Sequence, residues 1–104
     1  MSVIIDLSVF PMDKGGASVS PYVARVLRVI RESGLPHVLG PMGTCVEGEW
    51  EEVLAVVDAC HRELADDCDR VYMTVKVDSR KGRVGGLKSK TRSAVDKADA
   101  AEGA

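Results

Sequence analysis

The sequence predicts an α+β fold: a two-layer sandwich running β-α-β-β-α-β, with one further helix at the C-terminus. Three observations carry this. The segments "SVIIDLSVFPM" and "RVYMTVKVD" are rich in β-branched residues and alternate between two faces, as strands do. The segments following Ser20 and Gly48 repeat apolar residues at three- and four-residue intervals, as amphipathic helices do. Between them, "PHVLGPMGTCVEGE" is too short and too broken by glycine for a helix and reads as a hairpin.

Each element can be justified in turn. The first strand runs about nine residues and ends at Pro11. Val3, Ile5, Leu7 and Val9 make an apolar row; Ile4, Asp6, Ser8 and Phe10 make a mixed one. After the loop "DKGGASVS", Ser20 reads as a helix N-cap with Pro21 in the first helical position, where its missing N–H costs nothing. Val23, Val26, Leu27 and Ile30 continue that helix, and Gly34 ends it. Gly40-Pro41-Met42-Gly43 fits a tight turn joining "HVL" to "GTCVE".

From Glu49 to about Ala65 the apolar positions are Trp50, Val53, Leu54, Val57, Cys60 and Leu64, with Glu49, Glu51 and Glu52 at the positive end of the helix dipole. The last strand sets Val71, Met73, Val75 and Val77 against Tyr72, Thr74, Lys76 and Asp78. The basic loop "SRKGRVGG" leads into a polar helix, "LKSKTRSAVDKADAA", expected to fray after Asp96. The domain is therefore read as residues 1–96, with 97–104 a polar tail.

This order is the ferredoxin-like plan, a four-stranded antiparallel sheet with two helices on one face. Its other face would carry Asp6, Ser8, Phe10, Tyr72 and Thr74, too apolar to stay fully wet, so a homo-oligomer interface is expected there.

Composition narrows the function. The chain has 104 residues, enough for one domain with a two-layer core. No apolar run reaches the ~18 residues of a membrane span. The opening segment carries Asp6 and no basic stretch, so it reads as a strand and not a signal peptide, and a cytoplasmic location is expected. Cys45, Cys60 and Cys68 are odd in number and lack metal-type spacing.

The net charge of −2 conceals an asymmetry: residues 1–69 hold 5 Lys/Arg against 12 Asp/Glu, and residues 70–104 hold 9 against 4. The basic third complements acidic helices here or in a partner subunit. A nucleic-acid surface built on Lys76, Arg80, Lys81, Arg83, Lys88, Lys90 and Arg92 is disfavoured, because one Phe and two Tyr cannot furnish a stacking platform.

Signatures of catalysis are missing: there is no G-x-S-x-G elbow, no H-E-x-x-H and no paired-carboxylate motif. "GRVGGLKS" superficially resembles a phosphate loop but has Leu87 where the second glycine is required. Cys60 belongs to an apolar helix stripe, and His37 and His61 are read as structural. No catalytic residue, metal or cofactor is therefore assigned. What stands out is Glu47, a carboxylate in a short apolar strand. Burial without a partner would be costly, so it meets either a helix N-terminus, an arginine, or a cationic or amino-bearing ligand.

The stretches "FPMDKG…SVSPYVARVLRVIRESG", "GPMGTCVEGEW" and "DRVYMTVKVDSRKG" resemble the small thiamine-binding (YkoF-like) family over roughly residues 2–95. The resemblance implies a ferredoxin-like fold, dimers commonly paired into tetramers through their sheet faces, and non-catalytic binding of thiamine or its hydroxymethylpyrimidine moiety in salvage, transport or sensing. A site for that ligand wants an apolar or aromatic slot, a hydroxyl or backbone pair for the pyrimidine edge, and a carboxylate for the amino group or cation. Glu47 and Thr44 lead the candidates, joined by Phe10, Met12, Ser20, Tyr22 and Trp50. Ser20 competes for a capping role, and Tyr22 and Trp50 for core packing. The alternative is an assembly module of the same fold without a small ligand. Whether Glu47 lies beside an open cavity or is satisfied by protein groups alone discriminates the two.

Overall fold

The alternation of the first segment becomes β1 (Ser2–Pro11), the strand around which everything else is arranged. The computed structural model describes residues 2–16, 18–82 and 85–103. After β1 come α1 (Ser20–Glu32), β2 (His37–Leu39), β3 (Thr44–Gly48), α2 (Trp50–Ala65), β4 (Val71–Arg80) and α3 (Gly86–Gly103). The four strands form one antiparallel sheet in the order β2-β3-β1-β4, the ferredoxin-like topology. In the register, Leu7 faces Thr44 and Ile4 faces Glu47 across β3, while Phe10 faces Tyr72 across β4.

The apolar row of β1 is the centre of the core. Val3, Ile5, Leu7 and Val9 are buried against Val26 and Ile30 of α1 and Val53, Val56, Cys60 and Leu64 of α2. Side chains of this size each contribute about 1.5–3 kcal/mol on burial. The α2 stripe is rotated from the one read in the sequence. Val56 is buried, Val57 lies at the margin, and Leu54 and Trp50 are exposed. Interior position on that helix selects Cys60 as well, and burial pushes its thiol up to about 11.

At the start of α1 the expected cap is displaced by one residue. Ser20 is the first helical residue and Val19 holds the cap position. The Val19 carbonyl accepts the Tyr22 and Val23 N–H groups at 3.0 and 3.1 Å, and Ser18 Oγ accepts the Ser20 N–H at 3.3 Å. With Pro21 contributing no donor, the Ser20 hydroxyl is left without a capping duty. Gly34, at φ +73°, ends the helix as read.

Charged side chains lock the two core helices together. Arg25 of α1 donates to Glu63 of α2 at 3.1 Å and to Asp67 at 2.8 Å. The Asp13 carboxylate accepts the backbone N–H groups of Asp69 at 2.8 Å and Arg70 at 3.3 Å. The Asp69 N–H foremost holds Asp13 below its ordinary value of 3.8, and the Arg25 guanidinium does the same for Asp67. Acids depressed in this way add stability above their unfolded value and lose it as pH falls through the folded one. Denaturant midpoints measured between about pH 5 and pH 2 should therefore fall, and the fall should be shallower in Asp13→Asn.

The third helix changes the picture of the second sheet face. It crosses the end defined by Ile4, Glu47 and Asp78, with Lys90 paired to Asp78, and leaves Ile4 buried. That face is thus covered at one end and open at the other, where Ser8, Phe10, Tyr72 and Thr74 lie; the Phe10 and Tyr72 ring centroids are 5.5 Å apart. Nor does α3 stop at Asp96: it continues to Gly103. No helix among the described residues is long and apolar enough to cross a membrane.

Candidate functional site

The two leading candidates of the sequence sit on one short strand and point to different places. Thr44 lies opposite Leu7 on the helix side of the sheet, whereas Glu47 lies opposite Ile4 on the other side. Three residues of strand, about 10 Å, separate them along the axis.

Glu47 is 6% exposed and is used by the fold. Its carboxylate accepts the Ser2 hydroxyl and the backbone N–H groups of Gly86 at 2.6 Å and Leu87 at 3.4 Å. These are the first amides of α3, so Glu47 supplies the anion that a helix N-terminus attracts. The same contact answers the question of a phosphate loop at residues 82–89. Gly86 and Leu87 amides that would cradle a phosphate already hold a carboxylate of the same chain, while Arg83 and Val84 of that motif lie outside the described residues.

Thr44 is also 6% exposed, and no hydrogen bond joins its hydroxyl to any described residue. With no protein partner, the hydroxyl is left free to bond to whatever enters beside it, water or a ligand. It opens into a cleft of about 230 Å³ at the end of the sheet where β3 stops. β1 forms one wall of this cleft. Beyond Leu7 it has no β3 partner, although its β4 pairing continues to Pro11, so the main chain of Ser8, Val9 and Phe10 presents a free edge there. Val19, Val23 and Val26 of the α1 end form the second wall. The Gly40–Gly43 turn, closed by the Gly40 N–H to the Gly43 carbonyl at 2.8 Å, forms the lip, with Met42 almost wholly exposed on it.

Gly43 is what lets the lip come this close. A Cβ there would stand 2.8 Å from Asp6 Oδ1 and 3.1 Å from the Leu7 carbonyl oxygen, inside ordinary contact distance. None of the thirteen residues lining the cleft carries a charge. The chemistry on offer is therefore one hydroxyl, one strand edge with main-chain donors and acceptors, and apolar walls. That set suits a small, flat, neutral heterocycle better than an ion.

The other sequence candidates are dispersed. Phe10 lines the cleft. Tyr22 packs on the core margin with the Arg25 guanidinium 5.8 Å from its ring centre. Ser20 and Met12 are exposed and do not line it. Trp50, at the first turn of α2, is half exposed at the opposite end of the sheet. The residues that sequence reasoning passed over are Ser8, Val19, Val23 and Met42. Val23 reads as ordinary helix stripe and Val19 as part of a loop, and sequence alone does not reveal the register in which β3 reaches only to Leu7 while β1 runs on. Among the described residues, no group of His, Cys, Asp and Glu is arranged to hold a metal.

Comparison with known proteins places these features in a family. A model for thiamine-binding proteins matches residues 5–95. A UPF0045 protein of Synechocystis is 38% identical over 94 residues, covering 89% of this chain and 77% of the relative. The solved structure of a Methanocaldococcus jannaschii hypothetical protein superposes with a TM-score of 0.82 at 32% identity, covering 89% of this chain and 95% of the other. A Thermotoga maritima protein, named as a proposed thiamine biosynthesis/salvage protein, superposes with a TM-score of 0.75 at 25% identity, covering 88% and 99%.

Proposed function

Because the chain belongs to the thiamine-binding protein family, we propose that it is a non-catalytic binder of the hydroxymethylpyrimidine part of thiamine, acting in salvage, transport or sensing. The observation that carries this reading is the buried, unpartnered Thr44 hydroxyl in a cleft with no charged lining. In this account the pyrimidine ring lies between the valine wall of α1 and the edge of β1. Its ring nitrogen and amino group pair with the main chain of Ser8–Phe10, as an added strand would, and its remaining polar edge meets Thr44. The cleft, at about 230 Å³, is smaller than most sites for drug-sized ligands. The cationic thiazolium of intact thiamine would then have to project past Met42 toward solvent. The protein works in the cytoplasm as a homo-oligomer whose open sheet end, with Phe10 and Tyr72, meets another subunit.

Calorimetric titration tests the reading: hydroxymethylpyrimidine should bind with an affinity equal to or tighter than that of thiamine, and absence of heat with both would reject it. One observation favours the alternative of an assembly module without a ligand. Glu47, the carboxylate expected to greet a ligand, already accepts three hydrogen bonds from the chain itself.

A further inference from the structure

We infer that the cleft where α3 crosses the end of β4 binds a phosphate group, free or carried as the ester of a small organic molecule. The inference stands apart from the Thr44 cleft: Arg80 pairs with Ser2 at the start of β1, about 20 Å of strand from the Ser8–Phe10 edge.

Its origin is a charge imbalance that the pyrimidine cleft does not use. Over residues 70–104 cations outnumber acids nine to four, in a chain of net charge −2. The fold gathers part of that excess in one place. On β4, Arg80 shares a sheet face with Asp78, the face that α3 crosses. On α3, Ser89, Ser93 and Lys97 recur every four residues and form one row of the helix surface, with Lys90 and Ala94 in the row beside it. Together with Arg80 these residues line a cleft of about 520 Å³. Serine and alanine are short, so the floor stays open and the three long cationic side chains border it.

No carboxylate lines this cleft. Asp78 pairs with Lys90, and Asp96 pairs with Arg92 at 3.9 Å. Among the described residues neither Arg80 nor Lys97 has an acidic partner. Like charges gathered on one cleft repel, and an anion bound between them reverses that cost. The donor set selects the anion. A guanidinium offers two parallel N–H donors to two oxygens of a phosphate, the ammonium groups add point charges, and the Ser89 and Ser93 hydroxyls can donate to a third oxygen. The Ser89 hydroxyl donates to the Gly86 carbonyl at 3.4 Å, a long bond that is readily exchanged. A carboxylate, with two oxygens and one charge, would use fewer of these groups. A nucleic-acid strand would want aromatic stacking, and α3 has no aromatic residue.

Calorimetric titration of the full chain tests the site, with inorganic phosphate and with adenosine monophosphate as a phosphate monoester, at an ionic strength held constant by sodium chloride. At least one should saturate with a dissociation constant of about 1 mM or tighter. A monoester that binds about tenfold tighter or more identifies an organic ester as the natural form, and comparable affinities identify the free ion. Arg80→Gln and Lys97→Gln should each weaken binding by about tenfold. Lys88→Gln removes the same charge from an exposed position outside the cleft and should change binding by no more than about twofold. Without ligand, both cleft variants should melt no lower than the parent, because the groups removed repel one another; a merely structural Arg80 would lower the melting temperature. Absence of saturable binding by both anions overturns the inference. So does an equal loss in Lys88→Gln and Arg80→Gln, which would mean diffuse attraction by the whole basic segment. Binding confined to oligonucleotides would overturn it too, in favour of a nucleic-acid surface.

Discussion

Thr44→Val is expected to abolish or weaken pyrimidine binding by tenfold or more, about 1.4 kcal/mol, without harming the fold. The two side chains differ by a hydroxyl in place of a methyl. In the free protein that hydroxyl is buried and has no protein partner, so losing it removes a cost and not a bond. Thermal stability should therefore hold, or rise by up to about 1 kcal/mol. This combination is diagnostic. A hydroxyl that served only packing would affect stability and leave affinity alone, whereas one positioned for a ligand does the reverse. Calorimetric titration beside a thermal melt of the same preparation measures both. A Thr44→Val protein that binds as tightly as the parent would remove Thr44 from the site.

The second large effect is the opposite in kind. Glu47→Gln should lower stability by about 2 kcal/mol, because charge-assisted hydrogen bonds to the α3 amides and the favourable dipole interaction are both lost. The loss falls on α3, which is otherwise held by the half-buried Leu87 and the Lys90–Asp78 pair, residues 88–101 being exposed. Circular dichroism should show reduced helix content, matched by a chain truncated after Gly85. Affinity at the Thr44 cleft should change by no more than about twofold, since the two sites lie about 10 Å apart on opposite faces of the sheet. If Glu47→Gln instead abolished binding while leaving α3 and the melting curve intact, the carboxylate would belong to the ligand and the cleft assignment would be wrong.

These two residues show what could be read in the sequence. The period-two rows of β1 and β4, the three- and four-residue stripes of α1 and α2, and the Gly40–Gly43 turn were legible because local chemistry determines them. Topology followed from the order of elements. The need of Glu47 for a partner was legible too, and an α-helix N-terminus was among the partners foreseen. What could not be read was where a loop of basic residues would return α3, and that decides whether Glu47 serves the fold or a ligand. Likewise Thr44 stands out by residue type, but its importance rests on register: β3 begins only at Thr44, opposite Leu7, while β1 runs on to Pro11, and the gap so created is the cleft. Ser20 was misplaced as a cap because Ser18 and the Val19 carbonyl share its work, a difference of one residue that patterns do not fix. Trp50 satisfied helical spacing but sits where α2 begins to leave the core.

The most direct test of the central claim follows the titration with hydroxymethylpyrimidine amide by amide, by two-dimensional nitrogen–proton NMR of the unmodified protein. The account predicts saturable shifts concentrated at Ser8, Val9, Phe10, Gly43 and Thr44, with Gly86 and Leu87 unmoved. Shifts centred on Gly86, Leu87 and Glu47, or none at saturating ligand, would contradict it.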